Sequence, residues 1–107
     1  MANAAVTFSD LPRMEGLSWA FKITEHSVRS FAGNLTYPAY KYIPVTYLLC
    51  EGDKVIPVEA QRNMLEMVCK ESKTKVDLHT CGAGHCPNIT RPEYVVRVIR
   101  IASGEKL

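Results

Sequence analysis

Apolar residues recur at helical spacing through Leu17, Ala20, Phe21, Thr24, Val28 and Phe31, after a helix-opening signal at Asp10 and Pro12. Gly33 and Asn34 end that helix, and Leu35 to Pro44, with Tyr37, Tyr40, Tyr42 and two prolines, reads as an ordered connector. The pattern changes at Val45. Val45 to Cys50 is almost continuously apolar and rich in strand formers, which suits a strand covered on both faces in the middle of a parallel sheet. It stops at the turn signature Glu51-Gly52-Asp53. Pro57 then opens a helix to about Glu71, with Ala60, Met64, Met67, Val68 and Glu71 stepping around it. From Lys75 to Cys81 apolar and polar residues alternate, the mark of a strand covered on one face. A glycine-rich loop, Gly82 to His85, follows. Thr90-Arg91-Pro92-Glu93 has the form of a capping box, opening a last helix with Val95, Val98, Ile99 and Ala102 as its apolar stripe.

Strand, crossover helix, strand and helix make a βαβα unit, so the fold class is α/β with two parallel strands, preceded by a helical segment. A two-stranded sheet with an apolar strand open at one edge is not self-sufficient. The pattern therefore predicts that the sheet is incomplete in this chain and is finished by a second copy, as a homo-oligomer, or by a missing N-terminal segment. The length of 107 residues allows one small domain, and 47% hydrophobic content marks it as globular.

Charge adds little. The net charge is +2, and the one local concentration of lysines, Lys70, Lys73 and Lys75, fits a solvated turn rather than a nucleic-acid patch. No stretch approaches the roughly 20 apolar residues that span a bilayer. The N-terminus lacks the basic and apolar regions of an export signal, so a cytoplasmic location is expected. On that expectation Cys50, Cys69, Cys81 and Cys86 read as free thiols, and the triplets at Asn34 and Asn88 as accidental glycosylation patterns.

Parallel sheets carry their chemistry just past the carboxyl ends of the strands. Asp53 follows the first strand by three residues and His85 the second by four, so adjacent strands would bring them together. A carboxylate beside an imidazole fixes its tautomer and stabilises its protonated form, making the histidine a general base. The plainer alternative is turn chemistry at Asp53 and an ordinary loop residue at His85. Zinc ligation by His79, Cys81, His85 and Cys86 is disfavoured by poor spacing, and no metal or cofactor is expected.

The stretch from Ile43 to Pro57 (Ile-Pro-Val-Thr-Tyr-Leu-Leu-Cys-Glu-Gly-Asp-Lys-Val-Ile-Pro) resembles the seventh strand and acid loop of α/β-hydrolases. Ala83-Gly84-His85-Cys86-Pro87 resembles their histidine loop, and Phe8 to Tyr42 the end of the cap region and return helix of small fungal esterase-like members. The resemblance divides the chain into a cap-end segment, 1–42, and a C-terminal core segment, 43–107. It implies that Asp53 is the acid and His85 the base of a catalytic triad acting on a small ester-like substrate. The family's nucleophile stands on a strained turn between strand and helix. The nearest match, Gly16-Leu17-Ser18-Trp19-Ala20, lies inside the helical repeat with no strand before it, so Ser18 reads as a helix residue. Three functions follow: the C-terminal part of a serine-type ester hydrolase, inactive alone; a truncated, hydrolase-derived binding or dimerisation module; or a nucleophile-free lyase or cyclase using the Asp53–His85 base.

Overall fold

The computed structural model describes residues 3–107. In chain order it contains α1 (Ala4–Thr7), α2 (Arg13–Ala20), 3-10 turns at Val28–Phe31 and Ala39–Lys41, β1 (Val45–Cys50), α3 (Val58–Glu71), β2 (Val76–Cys81), α4 (Pro87–Thr90) and α5 (Pro92–Ala102). β1 and β2 pair in parallel, in a register running from Val45 opposite Val76 to Cys50 opposite Cys81. Helices flank this small sheet, as the pattern of apolar positions predicted. Among the described residues no helix is long and apolar enough to cross a membrane.

Burial is concentrated at the carboxyl end of the sheet. Leu49 is fully buried, and Cys50, Cys81 and Ala83 form a compact cluster with Leu48 packed against it. The expectation that β1 is covered along its whole length is met only at Leu49 and Cys50; Val45 to Leu48 are half-buried. Both α3 and α5 pack on β1 rather than on β2. One face of β2 is consequently bare, with Leu78 and Thr80 exposed, while Cys81 on the other face is buried. Among the described residues β1 has one strand neighbour, so its other edge is open.

Three local expectations are corrected. The first helix does not reach Phe31: α2 stops at Ala20, and Val28–Phe31 forms a separate 3-10 turn in which the Ser27 hydroxyl accepts the Arg29 N–H. Phe21, Val28 and Phe31 are each at least 75% exposed, so among the described residues the apolar stripe has no surface to pack on. Without tertiary burial, a helix through β-branched Ile23 and Thr24 has too little to sustain it. Asp10 does not cap α2, whose N-cap position is Pro12 with no side-chain hydrogen bond. Thr90 does not form a capping box with Glu93. It ends α4, and the Arg91 N–H closes that turn on the Pro87 carbonyl at 2.8 Å. This holds Thr90 in helical geometry, and its buried Oγ1 has no partner.

The covered stripes keep Ala60, Val68, Val95 and Val98 of those expected and are otherwise displaced. In α3 the covered positions are Val58, Ala60, Gln61, Leu65 and Val68, whereas Met64 and Met67 are 40% and 50% exposed. In α5, Val95, Val98 and Ile101 turn inward and Ile99 is exposed. Lys41 pairs with Glu71 at 2.9 Å and accepts the Lys73 N–H on its carbonyl, fastening the connector to the end of α3.

Candidate functional site

Because Cys50 and Cys81 end their strands at the same level, the two following loops leave the sheet side by side. They remain bonded after the strands end. The Glu51 N–H donates to the Cys81 carbonyl at 2.9 Å, and the Gly52 N–H to the Ala83 carbonyl at 3.0 Å. Gly52 has to be glycine for this approach. A Cβ there would stand 2.9 Å from the Gly82 carbonyl oxygen and 3.0 Å from that of Ala83, both backbone atoms.

Asp53 comes directly after this seam. Its Oδ1 accepts the N–H groups of Val55 at 2.8 Å and Ile56 at 2.9 Å, a turn that delivers the chain to Pro57 and α3. With Oδ1 fixed, Oδ2 faces the second loop and lies 3.0 Å from Nδ1 of His85. The Asp53 side chain is 7% exposed and that of His85 30%. Burial works to raise the Asp53 pKa, but the His85 hydrogen bond and the two backbone amides outweigh it, and the carboxyl is held below its ordinary 3.8. A carboxylate can only accept, so Nδ1 carries the proton, which in the neutral ring leaves the lone pair on Nε2. The pair expected from strand spacing is therefore in direct contact, with the geometry of an oriented base.

A residue outside the expected site completes it. Gln61 is 4% exposed, and its side chain bonds three backbone groups. Oε1 accepts the Cys50 N–H at 3.0 Å, and Nε2 donates to the carbonyls of Cys50 at 2.9 Å and Ile56 at 2.8 Å. The flanking bonds, Val45 N–H to Lys75 carbonyl and Glu51 N–H to Cys81 carbonyl, show that odd-numbered residues of β1 turn their backbone toward β2. Cys50 therefore turns toward the open edge. The Gln61 amide stands there in place of a neighbouring strand, and through Ile56 it braces the loop whose amides hold Asp53. The available signal was its position, three after Val58 and four before Leu65 on the covered side of α3, masked by the polarity of its side chain.

The remaining candidates stay apart. Ser18 lies within α2, as expected of a helix residue. Among the described residues no three His, Cys, Asp or Glu side chains converge as a metal site. The Sγ atoms of Cys50 and Cys81 are 4.0 Å apart, both thiols free. Burial first, then Cys81, pushes the Cys50 thiol up to about 12, so it packs as a neutral group.

Residues 2–98 match the sequence profile of the alpha/beta hydrolase family. The chain belongs to that family. It is 34% identical over 90 residues to "Alpha/beta hydrolase nvfD" of Aspergillus novofumigatus (strain IBT 16806), covering 83% of this chain and 34% of that protein. It is likewise 34% identical over 94 residues to "Probable hydrolase R7" of Phoma sp. (strain ATCC 20986 / MF5453), covering 82% of this chain and 38% of the other. This alpha/beta hydrolase chain thus spans about a third of the length of these curated relatives. No solved structure matches it.

Two predictions follow from the bracing and from the Asp53 environment. Replacing Gln61 by Met, which keeps its length, leaves the buried Cys50 N–H without a partner and removes the donor to the Cys50 and Ile56 carbonyls, and should cost about 2–4 kcal/mol in urea unfolding. Asp53 has a folded pKa below its unfolded value near 3.8, so its stabilising contribution is complete above that value and lost as pH falls through the folded one. The stability difference between wild type and Asp53→Asn should accordingly be constant at and above about pH 5 and shrink in more acidic urea melts.

Proposed function

We propose that this chain supplies the acid, Asp53, and the base, His85, of the catalytic triad of a serine-type carboxylic-ester hydrolase, whose nucleophile lies outside these residues. The observation that carries this reading is the 3.0 Å contact between Asp53 Oδ2 and His85 Nδ1, on loops at the carboxyl ends of two parallel strands. Membership of the alpha/beta hydrolase family and the hydrolase names of its relatives support it. In that chemistry a serine hydroxyl attacks the ester carbonyl while Nε2 of His85 takes its proton. The imidazolium, stabilised by Asp53, then protonates the departing alkoxide, and the same cycle with water releases the acid. The nucleophile and the donors for the developing oxyanion come from the part of the fold that this chain does not span.

A second reading, a hydrolase-derived module that pairs with another copy of itself, draws on a separate observation. The open edge of β1 is accompanied by exposed apolar side chains at Ile43 (56%), Leu78 (45%) and Ile99 (58%). The two readings differ in their dependence on His85.

The test joins this chain to the part of the nvfD protein that it does not match and follows hydrolysis of p-nitrophenyl acetate. The joined protein should be active, the isolated chain no faster than buffer. His85→Ala should lower kcat by at least about 1,000-fold and Asp53→Asn by a comparable factor, with KM little changed. Activity indifferent to His85→Ala would contradict the proposal, and a tight dimer of the isolated chain retained in that variant would favour the second reading.

A further inference from the structure

Asp10 stands in the turn between α1 and α2, distant in sequence from the Asp53–His85 pair, and its carboxylate reaches the histidine loop. Oδ2 accepts the Gly84 N–H at 2.7 Å across 74 residues of sequence. The turn is set by the hydrophobic contact beneath it. Phe8 is 3% exposed, its carbonyl accepts the Leu11 N–H at 3.1 Å, and it packs against Gly16 of α2, where a Cβ would come within 3.2 Å of Phe8 Cβ. Gly84 is itself buried, so its N–H requires a protein partner.

The same peptide group is held at its other end. The Ala83 carbonyl and the Gly84 N–H belong to one planar unit. The carbonyl accepts from Gly52 of the acid loop, and the N–H donates to Asp10. Bonds at both ends of a rigid plane fix its rotation, and the next residue is His85. Glycine at position 84 would otherwise leave this peptide free to turn over. The fit is mutual: a Cβ on Gly84 would stand 2.5 Å from Asp10 Oδ1 and 2.9 Å from its Cγ. The carboxylate occupies the space that any larger residue would need.

We propose that Asp10 is a positioning residue for His85, acting through the 83–84 peptide. It anchors the histidine loop against the N-terminal helical segment while Gly52 anchors it against the acid loop. This deepens the reading of His85 as the triad base and rests on it. No contact between Asp10 and the imidazole is involved.

The experiment uses the full chain, labelled with 15N, and compares wild type with Asp10→Ala, Asp10→Asn and Gly84→Ala. Two quantities are read: hydrogen exchange at the Gly84 amide, and the ring 15N shifts of His85, which report its tautomer. Asp10→Ala should accelerate Gly84 exchange by more than about tenfold relative to the amides of β1. It should also turn the single Nδ1–H tautomer of His85 into a mixture. Asp10→Asn keeps an acceptor oxygen and should restore most of both. Gly84→Ala should lower the urea midpoint in wild type and much less in the Asp10→Ala background, because the clash partner is gone. Unchanged Gly84 exchange in Asp10→Ala would overturn the proposal. So would faster exchange with the ring tautomer unaltered, which would make Asp10 part of the scaffold alone. A mixed tautomer already present in wild type would instead sink the base reading of His85, and it shows before any substitution is made.

Discussion

Everything at the candidate site depends on the seam between two loops. Parallel pairing normally ends where its strands end, yet here two further hydrogen bonds, from Glu51 and Gly52 to Cys81 and Ala83, carry the ladder past Cys50 and Cys81. The seam brings the backbone so close that Gly52 cannot carry a side chain. Asp53 and His85 are the first side chains beyond it able to meet, and they meet at 3.0 Å. Around the seam stand two braces: Gln61 holds the acid loop from the side of α3, and Asp10 holds the histidine loop from the N-terminal segment. Both braces act on backbone groups, and so fix the loops that carry Asp53 and His85 rather than touching either side chain.

The rest of the molecule is less closed. Apart from Leu49 and the cluster of Cys50, Cys81 and Ala83, much of the apolar surface is only half-covered, and β1 keeps an open edge. Gln61 gives that edge a defined end. It occupies the outward N–H and carbonyl of Cys50, so a further strand pairing with β1 would have to finish before that residue. The exposed stripe of Phe21, Val28 and Phe31 tells the same story at the N-terminal side: the residues are apolar at helical spacing, but nothing among the described residues covers them. A chain that spans about a third of its relatives is expected to present such surfaces.

The strands, their order and the Asp53–His85 pair were legible because each is written locally: a continuous apolar run, a period-two run, and short loops of fixed length after each. The resemblance of Ile43–Pro57 and Ala83–Pro87 to hydrolase loops sharpened the roles of two residues already singled out by spacing. What was not legible depends on tertiary contact. Helical spacing from Leu17 to Phe31 predicts a helix only if a surface exists to receive it, and none does among the described residues. Thr90 and Glu93 have the capping-box spacing, but the turn begun at Pro87 claims Thr90 first. Asp10 was read as a helix start, and Gln61 was not singled out by any pattern. Their partners lie at the ends of other elements, and single-sequence patterns carry no information about which loop a long polar side chain will reach.

The most direct measurement of the central claim is hydrogen-bond coupling across the seam, from the Gly52 15N to the Ala83 carbonyl 13C, together with exchange at the Gly52 amide. The account predicts a detectable coupling and protection matching the amides of β1. Rapid exchange at Gly52 with β1 still protected would contradict it, because the two loops would then part in solution and the Asp53–His85 contact would have no backbone template.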